Sequence, residues 1–201
     1  MAMPRLTPDN VTTPLQRFAV RVLALIGWHV EFSPLVEPRG VIIVYPHTSN
    51  WDFPIGLLAR WAIGLPLHWL GKETLFAGPL GRVMAPMLRA WGGEPIERGA
   101  SAGSIERLAS RIRSAPWYWL ALAPEGTRNY RDAWRSGFYH IALNAQVPLL
   151  AVSIDYATCT VAATTMVRLT GVPETDRLAL VAAYAGRRGY RHENAAPIVW
   201  K

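Results

Sequence analysis

The chain has 201 residues, 51% hydrophobic and only 17% charged, with a formal net charge of +7. That length fits one domain with a substantial core, and the single cysteine, Cys159, excludes an internal disulfide framework or a thiolate metal cluster. A basic balance with nine tryptophans suits an anionic membrane surface or an anionic substrate, whereas the absence of a Lys/Arg-rich tract or nucleic-acid module argues against nucleic acid.

Pro14 to Val30 reads as a helix with Leu15, Phe18, Val22, Leu25 and Ile26 on one stripe, and with Arg17 and Arg21 at helical spacing beside it. Such a helix would pack on the domain, lie in the lipid interface, or do both. It divides the chain into an N-terminal amphipathic segment over 1–35 and a domain over 36–201. Strands are expected at 41–45, 66–70, 94–98, 117–123, 147–154 and 164–169, and helices at 53–63, 79–90, 102–113, 135–145 and 174–185. This alternation predicts an α/β sandwich around a largely parallel central sheet. Val22 to Trp28 is too short to cross a bilayer, and Ile55 to Leu70 is interrupted by Arg60, Gly64, Pro66 and His68. With no cleavage pattern of a signal peptide, the expected location is cytoplasmic, peripheral to the inner face of the cell membrane.

Two apolar runs end in polar segments. Val41-Ile42-Ile43-Val44 leads into Pro46-His47-Thr48-Ser49-Asn50-Trp51-Asp52, and Trp117 to Ala123 leads into Glu125-Gly126-Thr127-Arg128. Ligands sit at such strand ends in open α/β sheets. On one helix His47 and Asp52 would stand about 140° apart around the axis and could not meet. A strand ending near Pro46, a turn, and a helix capped by Asp52 would bring them together. The carboxylate would then fix the imidazole tautomer and leave the other nitrogen free as a general base.

Further blocks follow in order: Gly71-Lys72-Glu73-Thr74-Leu75-Phe76, Gly92-Gly93-Glu94-Pro95-Ile96-Glu97-Arg98, Pro124-Glu125-Gly126-Thr127-Arg128 and Val147-Pro148-Leu149-Leu150-Ala151-Val152. With the His47 to Asp52 spacing of histidine, four residues, aspartate, the chain from about Gly40 to Asp155 resembles the glycerolipid acyltransferases, and among them the bacterial lysophosphatidic acid (1-acyl-glycerol-3-phosphate) acyltransferase family. The resemblance implies transfer of a fatty acyl group from an acyl thioester, on coenzyme A or acyl carrier protein, to the hydroxyl of a lysophospholipid. It requires no cofactor and no covalent acyl-enzyme, so Ser49 is not expected to act as a nucleophile. His47 would be the base and Asp52 its orienting partner. Arg128 and Arg98, with Lys72 as a weaker third, match positions that hold the acceptor's phosphate; Gly126 and Thr127 would turn backbone amides toward it, and Glu125 would bind a glycerol hydroxyl or brace Arg128 and the loop.

Oxyanion donors are expected among the amides of the 48–53 turn. Candidate walls for the acyl chain are Ile55 to Trp69, Phe76 and the Pro79 to Trp91 helix with Met84 and Met87. Arg107, Arg111 and Arg113 would either meet an acidic carrier protein or form a solvated face. Glu94 departs from the family's aliphatic residue and would add negative charge near the phosphate site, while Arg135, in place of a lysine, is a further contact. The other readings are an acyltransferase for a different lysolipid such as lyso-ornithine lipid, a lipid hydrolase, and a non-catalytic membrane-surface binding protein. No metal is expected, because the chain has no His-x-x-x-His pair or dense carboxylate cluster.

Overall fold

The computed structural model describes residues 5–96 and 102–201. Helix α1 (Pro14–Leu25) is followed by strands β1 (His29–Phe32) and β2 (Arg39–Val44), helix α2 (Asp52–Ile63) and strand β3 (Leu67–Lys72). Then come α3 (Gly78–Ala90), β4 (Gly93–Ile96), α4 (Ala102–Ser114), β5 (Tyr118–Leu122), α5 (Gly137–Ala145), the β6 (Leu149–Asp155) and β7 (Thr160–Val167) pair, and α6 (Pro173–Ala183). Single 3-10 turns occupy Glu73–Leu75 and His192–Asn194.

The seven strands form one sheet in the order β1-β7-β6-β2-β5-β3-β4. Five run parallel, and the β7 and β1 edge runs the other way because β6 turns back antiparallel into β7. The unbroken apolar run of β2 reflects burial on both faces of the sheet. Val41 and Ile43 face a core with Leu120, Leu149, Phe138 and Ile112. Ile42 faces the opposite core with Trp119, Leu150, Ile55 and Leu23. A smaller cluster of Phe76, Ala85 and Leu88 seats α3 against Trp69 and Phe53.

The N-terminal segment differs from its expected form in two respects. The helix stops at Leu25, and Gly27 with φ +79° turns the chain so that Trp28 and Val30 are buried and His29–Phe32 becomes an edge strand. Since β1 belongs to the sheet, the expected division at residue 35 falls inside the sheet's own framework. α1 presents Ala19, Val20 and Leu23 to the core, begins at a capping box of Thr13 and Gln16, and is tied to the end of α2 by Gln16, whose amide donates to the Ala62 and Ile63 carbonyls. Strand β7 begins at Thr160, four residues before its expected start, because it pairs back along β6 from Asp155 onward.

Candidate active site

β5, β2 and β6 lie side by side and parallel, so their carboxyl ends emerge in a row at one edge of the sheet. The segment after β2 carries His47 and Asp52, the one after β5 carries Glu125 and Arg128, and the one after β6 carries Tyr156. His47 Nδ1 lies 3.0 Å from Asp52 Oδ2, which also accepts the Ser49 amide at 2.9 Å. The other oxygen, Oδ1, accepts the Tyr156 hydroxyl at 2.8 Å. Asp52 is buried, and three donors match its charge. The Tyr156 hydroxyl is held well above its ordinary pKa, first by burial and then by its bond to Asp52, so it is a donor throughout the working range.

Asp52 is the first residue of α2 rather than its cap, which is Trp51. Its carboxylate turns back into the loop instead of forward onto helix amides, because His47 and the Ser49 amide already occupy it. The same turn removes half of the expected oxyanion donors. The amides of Ser49, Trp51 and Asp52 are committed to Asp52, the Ser49 hydroxyl and the Ser49 carbonyl respectively. Ser49 is itself a buried part of this turn.

Glu125 braces the site and does not line the cavity described below. Its buried carboxylate accepts the His47 amide at 2.7 Å through Oε2 and the Ala196 amide at 3.0 Å through Oε1. Burial pushes its pKa up to about 7, against the two amide bonds, which favour the charged form. Of the two roles expected for Glu125, the geometry supplies the brace, directed at the His47 backbone rather than at Arg128.

Arg128 donates through Nε to the Ser49 carbonyl at 3.1 Å, which links the two loops, while its own carbonyl accepts from the Asn194 amide group at 3.1 Å. Neither Glu125 nor Asp132 pairs with it; Asp132 is taken by Lys201 at 2.8 Å. Gly126 adopts φ +65°, and the Arg135 side chain lies against it, so that a Cβ there would stand 3.1 Å from Arg135 Nε. His47, Lys72, Gly126, Thr127, Arg128 and Arg135 all line one cavity of about 860 Å³. Arg98 lies outside the described residues.

The cavity continues along the α2 face of the sheet between Phe53, Leu57 and Leu65 on one side and Val44, Leu150 and Val152 on the other. The 55–69 segment therefore supplies walls as expected, but α3 does not. Phe76 is packed into its own cluster, and Met84 and Met87 are directed outward, 37% and 40% exposed. Glu94 is held by three side chains. It binds His68 Nδ1, Arg111 and the Tyr118 hydroxyl, at 2.8, 2.8 and 2.7 Å, and Tyr118 opens β5 at the end of the sheet away from His47. Its charge is thus matched by Arg111 and His68, and His68 lines the same cavity as Arg128.

Sequence reasoning missed Tyr156 and the C-terminal segment that supplies Arg191, Asn194 and Ala196. Arg191 N donates to Thr48 Oγ1 at 3.2 Å, so together these residues hold both active-site loops. No spacing signal marks them, because their partners lie from 66 to 143 residues away. Among the described residues no group of histidine, cysteine and carboxylate side chains could hold a metal ion, and no helix is long and apolar enough to cross a membrane.

No curated protein sequence matches the chain. Among solved structures, the crystal structure of the 1-acyl-sn-glycerophosphate (LPA) acyltransferase PlsC from Thermotoga maritima shares the fold, with a TM-score of 0.55 and 18% identity over 86% of this chain and 76% of that one. Residues 29–155, which run from β1 through the histidine-aspartate turn and the Glu125 loop to the end of β6, match the model of the Acyltransferase family, and the chain belongs to that family.

Proposed function

We propose that the protein transfers a fatty acyl group from an acyl thioester to the hydroxyl of a lysophospholipid such as 1-acyl-glycerol-3-phosphate. The observation that carries the reading is the buried Asp52 on His47 Nδ1, with His47 and Arg128 lining the same cavity. Nε2 is then the nitrogen left to take the acceptor's hydroxyl proton as its oxygen attacks the thioester carbonyl. A C–O bond forms, the C–S bond breaks, and the proton passes from His47 to the departing sulfur. Asp52 supports the imidazolium in between. No residue is acylated.

The terminal nitrogens of Arg128 suit an acceptor phosphate, since its Nε is the atom engaged by Ser49. Arg135 and Lys72 add positive charge along the same wall. The apolar stretch beneath α2 suits an acyl chain.

Peripheral attachment to the inner face of the membrane belongs to the same proposal. Leu15, Phe18, Leu25 and Ile26 of the α1 segment are 51%, 55%, 85% and 54% exposed, beside the basic Arg17 and Arg21. The test is mass-spectrometric detection of acylated product from purified protein, acyl thioester and a panel of lysolipids. A His47-dependent product supports the reading and names the acceptor; free fatty acid alone replaces it with hydrolysis.

A further inference from the structure

Residues 187–191, Arg-Arg-Gly-Tyr-Arg, lie beyond the family match and are fastened to the catalytic turn by their backbone. The Arg188 amide donates to Asp155 Oδ1 at 3.1 Å, and its carbonyl accepts from the Tyr156 amide at 2.8 Å. The Arg191 amide binds the hydroxyl of Thr48, the residue after His47. Gly189 between them sits flush on that turn. A Cβ there would meet Thr48 Oγ1 at 2.5 Å and Pro46 Cβ at 3.1 Å, so the approach admits only glycine.

The side chains are left over from this anchoring. Arg187 turns to Asp155 at 3.5 Å, but Arg188 and Arg191 are exposed and have no ion-pair partner among the described residues. Glu193, the nearest acid in sequence, is directed at His192. Tyr190 stands between the two arginines, 57% exposed, with its ring edge-on to Tyr156 at 5.3 Å. Two exposed arginines flanking an exposed tyrosine, on a loop whose backbone is fastened beside His47, match a nucleotide: forks for phosphate and a π-face for a base.

We propose that the 187–191 loop binds the nucleotide end of an acyl-coenzyme A donor, Arg188 and Arg191 taking its phosphates and Tyr190 its adenine. This rests on the acyl-transfer reading, which places the thioester at His47 and the acyl chain in the cavity. The donor's charged head must then leave past the rim of the site. The loop adjoins His47 through Thr48 without lining the cavity, and Arg128 on the cavity wall serves the acceptor. The arginines on α4 that could have received an acidic carrier protein are already engaged: Arg111 with Glu94, Arg113 with Glu106 and Arg107 with Ser104.

The test compares wild type with an Arg188→Ala, Arg191→Ala double variant and with Tyr190→Ala, using acyl-coenzyme A, acyl-pantetheine of the same chain length, and acyl carrier protein. Losing two charge-assisted contacts should raise the KM for acyl-coenzyme A about tenfold or more. The KM for acyl-pantetheine, which has no nucleotide, should move less than twofold, as should the KM for the acceptor. An unchanged KM for acyl-coenzyme A overturns the proposal, and so does a wild-type protein that accepts the carrier-protein donor but not acyl-coenzyme A. Calorimetric binding of free coenzyme A separates the loop from the reaction. Binding weakened about tenfold by the double variant upholds the site even if no lysolipid is acylated, whereas no binding to wild type removes it. Thermal unfolding of each variant confirms an intact fold.

Discussion

Tyr156 donates its hydroxyl to the Asp52 oxygen that His47 does not use, so the carboxylate behind the imidazole is held from both sides. Tyr156 is in turn wedged between Trp28 and Tyr190, with ring centroids at 4.8 and 5.3 Å. Replacing it with Phe keeps the wedge and removes the bond. The orphaned Asp52 oxygen should cost about 1–3 kcal/mol of stability. A less neutralised Asp52 favours the imidazolium, so the acid limb of the rate profile should move to higher pH. Denaturant unfolding and a kcat profile against pH check both; an unmoved limb reduces Tyr156 to packing.

Asp52→Asn should leave the turn nearly intact and remove most turnover. A neutral amide cannot stabilise the imidazolium as the carboxylate does, and the corresponding change costs about 10⁴ in kcat in histidine-aspartate hydrolases. Single-turnover rates at saturating substrate measure it directly.

Glu125 predicts a pH dependence of stability. Its pKa is about 7 folded against 4.5 for the free carboxyl, so the folded state holds its proton over a range where the unfolded chain releases it. Its contribution is therefore full below pH 4.5 and is lost as pH rises through about 7. The loss amounts to about 3 kcal/mol. Glu125→Gln, which does not titrate, should lack this fall. Melting temperatures of both proteins from pH 4 to 8 should converge or diverge across that window, and parallel curves would contradict the buried-carboxylate argument.

Arg128→Ala should weaken acceptor use about a hundredfold in KM, since two charge-assisted bonds to phosphate are lost. The donor KM should hardly change. Asn194→Ala, which releases only the Arg128 carbonyl, should act in the same direction and more weakly. Equal losses for both substrates would place Arg128 outside acceptor binding.

Phe18→Glu with Leu25→Glu should lower sedimentation with anionic vesicles at least tenfold, because two large apolar groups leave the interface. Both residues are more than half exposed, so the melting temperature should barely respond. Unchanged vesicle binding would remove α1 from the membrane contact.

The parts of the site within reach of a short window were legible. The β2 run and the five-residue interval from His47 to Asp52 carried the turn, and the Glu125 to Arg128 block carried its neighbour. What the window could not carry was long-range. The first half of strand β1 lay inside the expected Pro14 to Val30 helix, which the structure ends before Gly27, and only pairing with β7 makes it a strand. Glu94 read as an extra negative charge, and only the fold brings His68, Arg111 and Tyr118 to pair with it. The Asp52 carboxylate looked like a cap because it precedes a helix, yet the loop behind it competes more strongly for the same oxygens.

The dependence on Tyr156, Thr48 and residues 191–196 bears on how the protein can be divided. A fragment trimmed to the family's own limits, 29–155, keeps His47, Asp52, Glu125 and Arg128 but forfeits the hydroxyl on Asp52, the amides on Glu125 and Thr48, and the side chain under Arg128. Swapping that segment between relatives would transplant the reactive groups without their scaffold, so exchanges of specificity within the family should be cut beyond residue 196.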